Sequence, residues 1–473
     1  MLRQYEIVVS VEKCGGIGNK NQIPWNLRGD MRNFRNLTTR NDYGKKCCII
    51  IGRKTFESIE EKYRPIPDRV NIIISRTMEI VNDEDYFIVR SLKEALQLAA
   101  NDKYNEVISN VFIVGGESIF NDAMRNYIHL CKKIHVTHVD ENFACDRYFT
   151  NDLSNDFIKR NESSWKQETD GGLQIKYKFA TYDKRNHEEG AYLDLISKVL
   201  LQGNERNERT GVGTYSIFGN CMKFDLRDGI IPLLTTKKVY WRSVVEELLW
   251  FISGSTDNSV LRKKGINIWN LNGSRETLDK LGLKNRREDD LGPIYGFQWR
   301  HFGAKYIDCD TDYTGQGIDQ LVSLIEKINR NPSDRRLVIS AWNVSDLKFM
   351  ALPPCHMMMQ FYVDDGELSC SMYQRSCDIG LGVPFNIASY SILTRMIAHV
   401  CGLKPGIFIY FMGDVHIYKN HREKLLEQVS RTANNFPTLI INNNHCDMDK
   451  FEFADFKLLD YNPCSPIKMD MAN

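Results

Sequence analysis

The chain has 473 residues, 42% of them apolar, which suits a globular protein of roughly two to four domains. Its 62 basic and 61 acidic residues leave a formal charge of +1, so no overall field favours binding to a nucleic acid or a membrane surface. No apolar stretch is long enough to span a bilayer, and the N-terminus lacks the pattern of a signal peptide. The thirteen cysteines, without paired Cys-x-x-Cys spacing, indicate reduced thiols in a cytoplasmic protein and no metal site.

The N-terminal part of the chain, residues 1–183, alternates between short apolar runs and amphipathic stretches. The apolar runs predict strands over residues 5–11, 47–51, 70–75, 87–89, 111–114 and 134–139, and an alternating run predicts a late antiparallel strand over 174–182. The amphipathic stretches predict helices over residues 28–37, 55–60, 91–100 and 118–125. This alternation predicts an α/β domain in which helices flank a mixed sheet.

A very polar run over residues 184–190 predicts a short linker, after which a second domain extends over residues 191–473. Its patterns predict helices over residues 191–201, 241–252, 318–329 and 386–400, with buried strands over 337–341 and 407–412. The second part is therefore also predicted to be α/β, as one large domain.

One predicted hairpin carries the most specific chemical signal in the chain. Two strand-like runs, 357–363 and 368–373, flank Asp364-Asp365-Gly366, and an Asp-Gly turn between such runs is typical of a β-hairpin. The hairpin would bring Cys355 at one end towards Arg375 at the other. A guanidinium beside a thiol favours the thiolate, which is the nucleophilic form. A lone cysteine is most often a small buried hydrophobe, but this pairing predicts a catalytic one.

The motifs around this hairpin resemble those of thymidylate synthase. They are Pro-Cys-His at 354–356, Gln-Arg-Ser-Cys-Asp at 374–378 and Leu-Gly-Val-Pro-Phe-Asn-Ile-Ala-Ser-Tyr at 381–390. The resemblance implies reductive methylation of dUMP to dTMP by 5,10-methylenetetrahydrofolate, which leaves as dihydrofolate. Covalent addition of Cys355 to C6 of the pyrimidine would turn C5 into a nucleophile and so divide one difficult step into easier ones.

The same resemblance assigns roles to further residues. Glu247 is the implied general acid and base, Tyr295 belongs to the proton-relay loop, and the neighbouring Glu246 is expected to be structural. A side-chain amide at Asn386 can donate to uracil O4 and accept from N3–H, which selects uracil over cytosine. The folate side is assigned to Trp269, Asn270 and Asp378. The residues expected to bind dUMP are Arg209, Arg335, Arg336, His356, Gln374, Arg375, Ser376, Asp378, Asn386, His416 and Tyr418.

Two adjacent arginines usually mark a solvated turn, and on sequence alone that reading of Arg335 and Arg336 stays open. The resemblance implies that they reach the nucleotide phosphate of a partner subunit across a twofold homodimer. The sequence departs from the family pattern at three places: Asn270 stands where aspartate is usual, Cys464-Ser465 replaces His-Pro, and the last residue, Asn473, is polar.

The first part of the chain resembles dihydrofolate reductase. The motifs, in the family's order, are Gly18, Ile-Pro-Trp at 23–25, Gly-Arg-Lys-Thr at 52–55, Pro-Asp-Arg at 67–69, Gly-Gly at 115–116 and Thr-His-Val-Asp at 137–140. The resemblance implies reduction of dihydrofolate by NADPH, with Asp30 promoting protonation of N5 before hydride reaches C6. Thr137 would support Asp30, and Arg69 would bind the glutamate carboxylate of folate.

The remaining reductase residues fall into two sets. The pterin pocket is expected to include Val8, Val9, Met31, Phe34 and Val114. The helix that opens after Gly115-Gly116, whose peptide bond is usually cis in this family, would receive the pyrophosphate of NADPH. The NADPH residues are Gly18, Arg53, Lys54, Thr55, Ser75, Arg76, Gly115, Gly116, Glu117 and Ser118, with Arg76 proposed for the 2′-phosphate.

Together the two resemblances cover almost the whole chain, in the order found in the bifunctional enzymes of protozoa and plants. Two other hypotheses are open at this point. One half could be an inactive scaffold, which would require the loss of Asp30 or Cys355, and both are present. The chain could instead be a nucleic-acid regulator, but that role needs a basic stripe or an aromatic platform, which the near-neutral charge does not favour.

Overall fold

A computed structural model describes residues 2–39, 44–83, 86–105, 107–149, 151–207, 211–442 and 446–471. The chain divides into two compact units, residues 1–185 and 186–473. Each unit combines helices with its own sheet, as the sequence predicted. Within the described ranges, every helix falls short of the length and apolarity that a membrane crossing requires.

The first unit is built around parallel strands, most of which are joined through helices. Its strands are β1 (Tyr5–Val11), β2 (Gly16–Gly18), β3 (Lys46–Gly52), β4 (Arg69–Ile74), β5 (Tyr86–Val89), β6 (Ile108–Gly115), β7 (Cys131–Val139), β8 (Arg147–Tyr148), β9 (Phe157–Glu162), β10 (Lys166–Asp170) and β11 (Leu173–Lys184). Its helices are α1 (Arg28–Thr39), α2 (Arg53–Glu57), α3 (Leu92–Ala99), α4 (Asp102–Asn105) and α5 (Glu117–Asn126).

Nine strands of the described chain form the main sheet of this unit, in the order β10-β11-β7-β1-β6-β3-β4-β5, with β9 beside β11. Neighbouring strands from β7 to β5 are parallel, whereas β9, β10 and β11 pair in antiparallel fashion. The predicted mixed sheet is therefore confirmed. Its central strands are continuous apolar runs because both of their faces are buried, as in Ile49, Ile50 and Ile113.

The differences from the predicted elements have simple physical reasons. The strand predicted over residues 5–11 has the bounds of β1. Strands β9 and β10 were not predicted, because they are largely exposed and polar and so lack regularly spaced apolar residues. The helix predicted over residues 55–60 lies at Arg53–Glu57, because it begins directly after Gly52 at the end of β3. The polar parts of a sheet are where hydrophobic patterning carries least information.

The second unit has longer elements. Its strands are β12 (Asn204–Arg206), β13 (Thr214–Asp225), β14 (Val338–Ser340), β15 (His356–Asp364), β16 (Glu367–Asp378), β17 (Lys404–Tyr418), β18 (Thr438–Ile441) and β19 (Phe456–Leu459). Its helices are α6 (His187–Gln202), α7 (Trp241–Ile252), α8 (Asn258–Lys263), α9 (Asn270–Gly273), α10 (Arg275–Lys280), α11 (Tyr295–His301), α12 (Gln320–Arg330), α13 (Gly382–Val400) and α14 (Arg422–Val429).

The main sheet of the second unit joins six described strands in the order β12-β13-β17-β16-β15-β14. The predicted hairpin is β15 and β16, which turn at Asp365 (φ 46°) and Gly366 (φ 74°), the positive-φ pair of a type I′ turn. Alternate side chains of the four longest strands face the core. One such row, in register across the strands and almost wholly buried, is Met222, Tyr410, Met372 and Met359.

The opposite face of the same strands carries a second row, which we call the outer row: Cys221, Phe411, Tyr373 and Met358. These neighbours are in register, so they point to the same side of the sheet. All four are exposed, with Met358 at 45% and Phe411 at 44%. The sheet of this unit therefore has one buried face and one exposed face that is partly apolar.

Helix α6 corrects the predicted boundary. The run 184–190 was predicted to be a linker, but α6 begins at His187, four residues before the predicted start at 191. Asn186 caps it by accepting from the Glu189 backbone N–H at 3.0 Å, and Glu188 and Glu189 lie in the first turn, where carboxylates are favourable. The polar residues that suggested a linker are the N-terminal signal of this helix.

Glu189 is the most deeply enclosed of these carboxylates, with no exposed surface. It accepts hydrogen bonds of 2.7 to 2.9 Å from the backbone N–H and the hydroxyl of both Thr235 and Thr236. A buried carboxylate is tolerated when donors surround it in this way. The interaction fixes the segment before α7 to the start of α6.

We expect Glu189→Gln to destabilise the second unit by about 2–5 kcal/mol, because an amide nitrogen would replace an acceptor among converging buried donors. Glu188→Gln is the matched control, since Glu188 accepts one backbone N–H, that of Asp225, which an amide oxygen can also do. The measurement is denaturant unfolding followed by tryptophan fluorescence. Equal midpoints for the two variants would contradict this role of Glu189.

Candidate active sites

The structure brings Cys355 and Arg375 together at the base of the hairpin. The Arg375 backbone N–H donates to the Cys355 carbonyl at 2.9 Å. Its guanidinium donates to the carbonyls of Pro353 and Pro354 at 2.8 and 2.9 Å, and Nη2 lies 4.0 Å from Cys355 Sγ. Cys355 is partly exposed, so a ligand can reach the sulfur. The guanidinium plane is thus held beside the thiol by the backbone that carries it.

A buried aromatic group lies beside the cysteine. The Cys355 backbone N–H donates to Tyr295 Oη at 2.7 Å, and the Tyr295 and His356 rings are 4.2 Å apart. His356 Nδ1 is 2.6 Å from Tyr390 Oη. Burial lowers the pKa of His356 to about 3, so its imidazole is neutral at physiological pH. The neutral His356 imidazole can therefore donate or accept a hydrogen bond, but it does not supply a positive charge.

Glu247 lies on α7 with its carboxylate enclosed by protein. Trp269 Nε1 donates to Glu247 Oε1 at 2.7 Å, and burial raises the pKa of Glu247 to about 7 although this hydrogen bond opposes the rise. The side chain keeps some exposure, as expected for the wall of a cleft. A carboxyl with a pKa near 7 can both take and give a proton at neutral pH. Glu246 instead forms an ion pair with Lys264 at 2.6 Å, which fits the structural role predicted for it.

Asn386 and Asp378 meet at Gly382, where α13 begins. A Cβ on Gly382 would lie 3.6 Å from Asn386 Oδ1 and 3.8 Å from Asp378 Cβ. Asp378 Oδ1 accepts from the Gly380 N–H at 2.9 Å, and Asp378 is paired in register with His416 on β17. The amide predicted to select the base, the acid predicted to contact folate and the histidine predicted to contact the sugar therefore lie at one end of the sheet.

Other predicted residues extend this cluster. Gln374 is buried, accepts from Tyr410 Oη at 2.7 Å and donates to the Ser376 carbonyl at 2.9 Å. The rings of His416 and Tyr418 are 5.4 Å apart. Asn270 Oδ1 accepts from Asn258 Nδ2 at 3.0 Å, and Asn270 Nδ2 donates to Asn267 Oδ1 at 2.9 Å. An amide network therefore accommodates asparagine at the position where the family usually has aspartate.

Arg335 and Arg336, unlike Arg375, lie away from Cys355 within one chain. Arg335 and Arg336 are exposed, and Arg336 forms an ion pair with Asp334 at 3.0 Å. The Arg335 carbonyl accepts from Gln360, and the strand from Cys355 to Gln360 spans about 17 Å. Arg209 and Asn473 lie outside the described residues.

In the first unit, Asp30 lies in the first turn of α1. Thr137 Oγ1, on β7, donates to Asp30 Oδ1 at 2.7 Å, so the predicted support is present. Burial raises the pKa of Asp30, while the nearby hydroxyls of Thr137 and Ser10 oppose the rise. A carboxyl in this environment takes up a proton more readily than one in water.

The predicted pterin pocket contains both buried and exposed members. Val9 is buried, Val8, Phe34 and Val114 are partly buried, and Met31 is 57% exposed. Arg69 is buried at 5% exposure and donates to Thr38 Oγ1 at 2.8 Å and to the Pro67 carbonyl at 2.7 Å. Its guanidinium lies 5.6 Å from the centre of the Phe34 ring, so it borders this pocket.

The predicted NADPH residues lie at the carboxyl edge of three adjacent parallel strands. β3, β4 and β6 end side by side, as the pairs Ile51↔Gly115 and Gly52↔Ile74 show. The Gly115–Gly116 peptide is cis, and a Cβ on Gly116 would lie 2.8 Å from Thr55 Oγ1. The segments that end at this edge carry Arg53, Lys54, Thr55, Ser75, Arg76, Glu117 and Ser118, and Gly18 lies in β2. Ser75 is buried, and its Oγ accepts from the Thr77 and Met78 backbone N–H groups.

Sequence reasoning gave no role to three residues that the structure brings to the synthase site. Tyr390 contacts His356, and Trp342 lies under Arg375 with 5.5 Å from the guanidinium to the ring centre. Lys237 is buried and donates to the Gly380 carbonyl, and burial lowers its pKa to about 8. The sequence signal for Lys237 was a pair of lysines, 237–238, within the largely apolar stretch 230–241.

Comparisons with known proteins give a family for each unit. The thymidylate synthase family model matches residues 190–473, and the dihydrofolate reductase model matches residues 4–184. A bifunctional dihydrofolate reductase-thymidylate synthase of Arabidopsis thaliana is 48% identical over 502 residues, which cover 99% of this chain and 96% of that protein. Proteins of the same name from Paramecium tetraurelia and Leishmania major are 44% and 43% identical, over 99% and 100% of this chain and 99% and 95% of theirs. The chain belongs to the bifunctional dihydrofolate reductase–thymidylate synthase family.

Proposed function

We propose that the second unit methylates dUMP at Cys355 and that the first unit reduces the resulting dihydrofolate at Asp30. The two activities themselves follow from membership of the family. They fit together chemically, because the synthase releases the dihydrofolate that the reductase consumes. The observation that carries the synthase assignment is the 4.0 Å contact between Arg375 Nη2 and Cys355 Sγ.

In the synthase reaction, the Cys355 sulfur forms a bond to C6 of the pyrimidine, and C5 then attacks the methylene carbon of 5,10-methylenetetrahydrofolate. Glu247, with its pKa near 7, receives and returns the protons that these steps move, and Trp269 holds its carboxylate in place. The bond from the methylene carbon to N10 of the folate opens for this attack, and loss of the C5 proton then breaks its bond to N5, which leaves an exocyclic methylene on C5. Hydride transfer from the released tetrahydrofolate completes the methyl group. The Cys355–C6 bond then breaks, and dihydrofolate leaves.

Binding of dUMP is assigned by the chemistry of the groups around Cys355. Asn386 reads O4 and N3 of uracil, His416 and Tyr418 bind the 3′-hydroxyl, and Arg375 with Ser376 binds the phosphate. His356 and Gln374 complete this side, and Asp378 with Trp269 and Asn270 borders the folate. Arg209 is assigned to the phosphate by family resemblance alone.

In the reductase reaction, Asp30 binds the pterin and promotes protonation of N5, while NADPH when bound supplies the hydride. The cis Gly115–Gly116 cradle and the N-terminus of α5 suit its pyrophosphate, since a Cβ at Gly116 would close the cradle against Thr55. Arg53, Lys54 and Arg76 supply positive charge at the same strand edge. Arg69 is suited to bind the folate carboxylate from the border of the pterin pocket.

The synthase is proposed to work as a homodimer that uses Arg335 and Arg336 in trans. Two observations support this. Both arginines are exposed, and the Arg335 backbone meets β15 at Gln360, far from the cysteine of the same chain. The outer row leaves a partly apolar sheet face for a partner. A twofold interface through this face would place two shared phosphate sites in each dimer. A cytoplasmic location is likewise proposed and is checked by cell fractionation.

Separate sites predict separable losses. Cys355→Ser should abolish dTMP formation and leave dihydrofolate reduction intact, because a hydroxyl is a far weaker nucleophile than a thiolate. Asp30→Asn should do the reverse. The measurement is an absorbance assay of each reaction on the purified full-length variants, and loss of both activities in either folded variant would contradict two independent sites.

Glu247→Gln should lower synthase turnover by about 10²–10⁴-fold, because an amide cannot transfer the protons. Glu246→Gln is the matched control: it alters the neighbouring residue, which forms an ion pair with Lys264, and should leave turnover nearly unchanged. Turnover of dTMP at saturating substrates is the measurement. If the two variants have similar turnover, Glu247 is not the acid and base.

Subunit exchange tests the shared phosphate site. Chains carrying Arg335→Glu and chains carrying Cys355→Ala should each be inactive as synthases, while an equal mixture should regain about a quarter of wild-type activity, since half of its dimers are mixed and each has one complete site. Exchange is verified with differently labelled chains. Activity that stays at the background of the parents despite exchange would exclude sharing.

A further inference from the structure

Strand β10 contributes two carboxylates to the entrance of α1, the helix that carries Asp30. Glu168 accepts the Arg28 backbone N–H at 2.7 Å and the Gly29 backbone N–H at 2.9 Å. Asp170, two residues along the same strand, accepts the Asn26 backbone N–H at 2.8 Å. The first amides of α1 are therefore bound by side chains from a strand that is distant in sequence.

A tyrosine fixes the position of the Glu168 carboxylate. Tyr177, on the adjacent strand β11, donates its hydroxyl to Glu168 Oε1, the oxygen that also accepts from Gly29. A Cβ on Gly29 would overlap both the Tyr177 hydroxyl and this oxygen, so the packing depends on glycine at that position. Glu168 is thus held against the backbone one residue before Asp30, with little freedom to move.

We propose that Glu168 is a positioning residue for the reductase: by binding the first amides of α1, it sets where the Asp30 carboxyl lies and places a negative charge beside it. This inference rests on the role given to Asp30 under the proposed function. A free helix N-terminus would favour ionised Asp30, because unpaired amides and the helix dipole attract negative charge. Glu168 occupies those amides and adds a charge of the same sign as Asp30, so both effects oppose ionisation.

The other polar and charged groups around Asp30 do not oppose its ionisation. The groups that act on its pKa are the hydroxyl of Thr137, which donates to it, the nearby hydroxyl of Ser10, which also lowers the pKa, and the charge of Glu168, which raises the pKa in addition to burial. Tyr177 faces Asp30 from β11, and the nearby charges of its own helix are Arg28 and Arg32, which act on Glu168 and Tyr177. Among the described residues, Glu168 is the negative charge that acts on Asp30.

The functional consequence concerns the pH range of reduction. A carboxyl that promotes protonation of N5 works best when its pKa approaches the working pH. Keeping the Asp30 pKa above its ordinary value extends the range over which a proton is available. A carboxylate on β10, outside the predicted pterin pocket, would then tune the chemistry inside it.

The test is a titration of Asp30 in the full-length protein, read from the carboxyl signal in infrared difference spectra against Asp30→Asn. Glu168→Gln keeps an acceptor oxygen but removes the charge, and should lower the Asp30 midpoint by roughly half a pH unit. The pH at which kcat/KM for dihydrofolate falls should move down by a similar amount. Asp170→Asn is the matched control on the same strand and should leave both midpoints unchanged.

The outcomes separate the inference from the proposed function on which it rests. Equal midpoints in Glu168→Gln and the wild type, in an enzyme that Asp30→Asn inactivates, would overturn the inference and leave the role of Asp30 intact. Full activity in Asp30→Asn would instead overturn that role. Lower activity in Glu168→Gln with unmoved midpoints would mean that Glu168 is only a helix cap, and would also overturn the inference. Glu168→Asp, which keeps the charge, should lie nearer to the wild type.

Discussion

The synthase site depends above all on the register between β15 and β16. The turn at Asp365-Gly366 sets the pairing of the two strands, and a β-bulge between His356 and Met358 shifts it by one residue. Together they place Arg375 opposite Cys355, where the two backbones join by a 2.9 Å hydrogen bond. A slip of one residue would turn every side chain to the other face of the sheet. It would bury the outer row, expose the methionine core and separate the guanidinium from the thiol. Fold and chemistry therefore share one constraint.

Around this constraint, the same chemical group serves different purposes according to the donors that surround it. Glu189 has buried donors on both oxygens and acts as a structural anchor, whereas Glu247 has one indole donor and a pKa of about 7. Asp30 accepts a hydrogen bond from the hydroxyl of Thr137, which opposes the effect of burial on its pKa. Burial raises the pKa of all three carboxyls, and they differ in the donors that oppose the rise.

The sequence allowed prediction of both α/β units, of the hairpin and of the groups that meet there, because apolar periodicity and a turn signal are local properties. It did not reveal β9, β10 or the start of α6, since exposed strands and capped helix ends are polar and resemble loops. Glu168 was missed for the same reason: its role depends on the pairing of β10 with β11, a contact that no local pattern encodes.

The central claim, that this register makes Cys355 the nucleophile of the synthase, can be tested by trapping the bond it forms. A dUMP analogue with fluorine at C5 cannot lose a proton there, so the reaction with 5,10-methylenetetrahydrofolate should stop while the sulfur is still joined to C6. We expect mass spectrometry of the digested protein to find the adduct on the peptide that contains Cys355, at one per chain. An adduct on any other of the thirteen cysteines, or none in a folded and ligand-bound protein, would contradict the account.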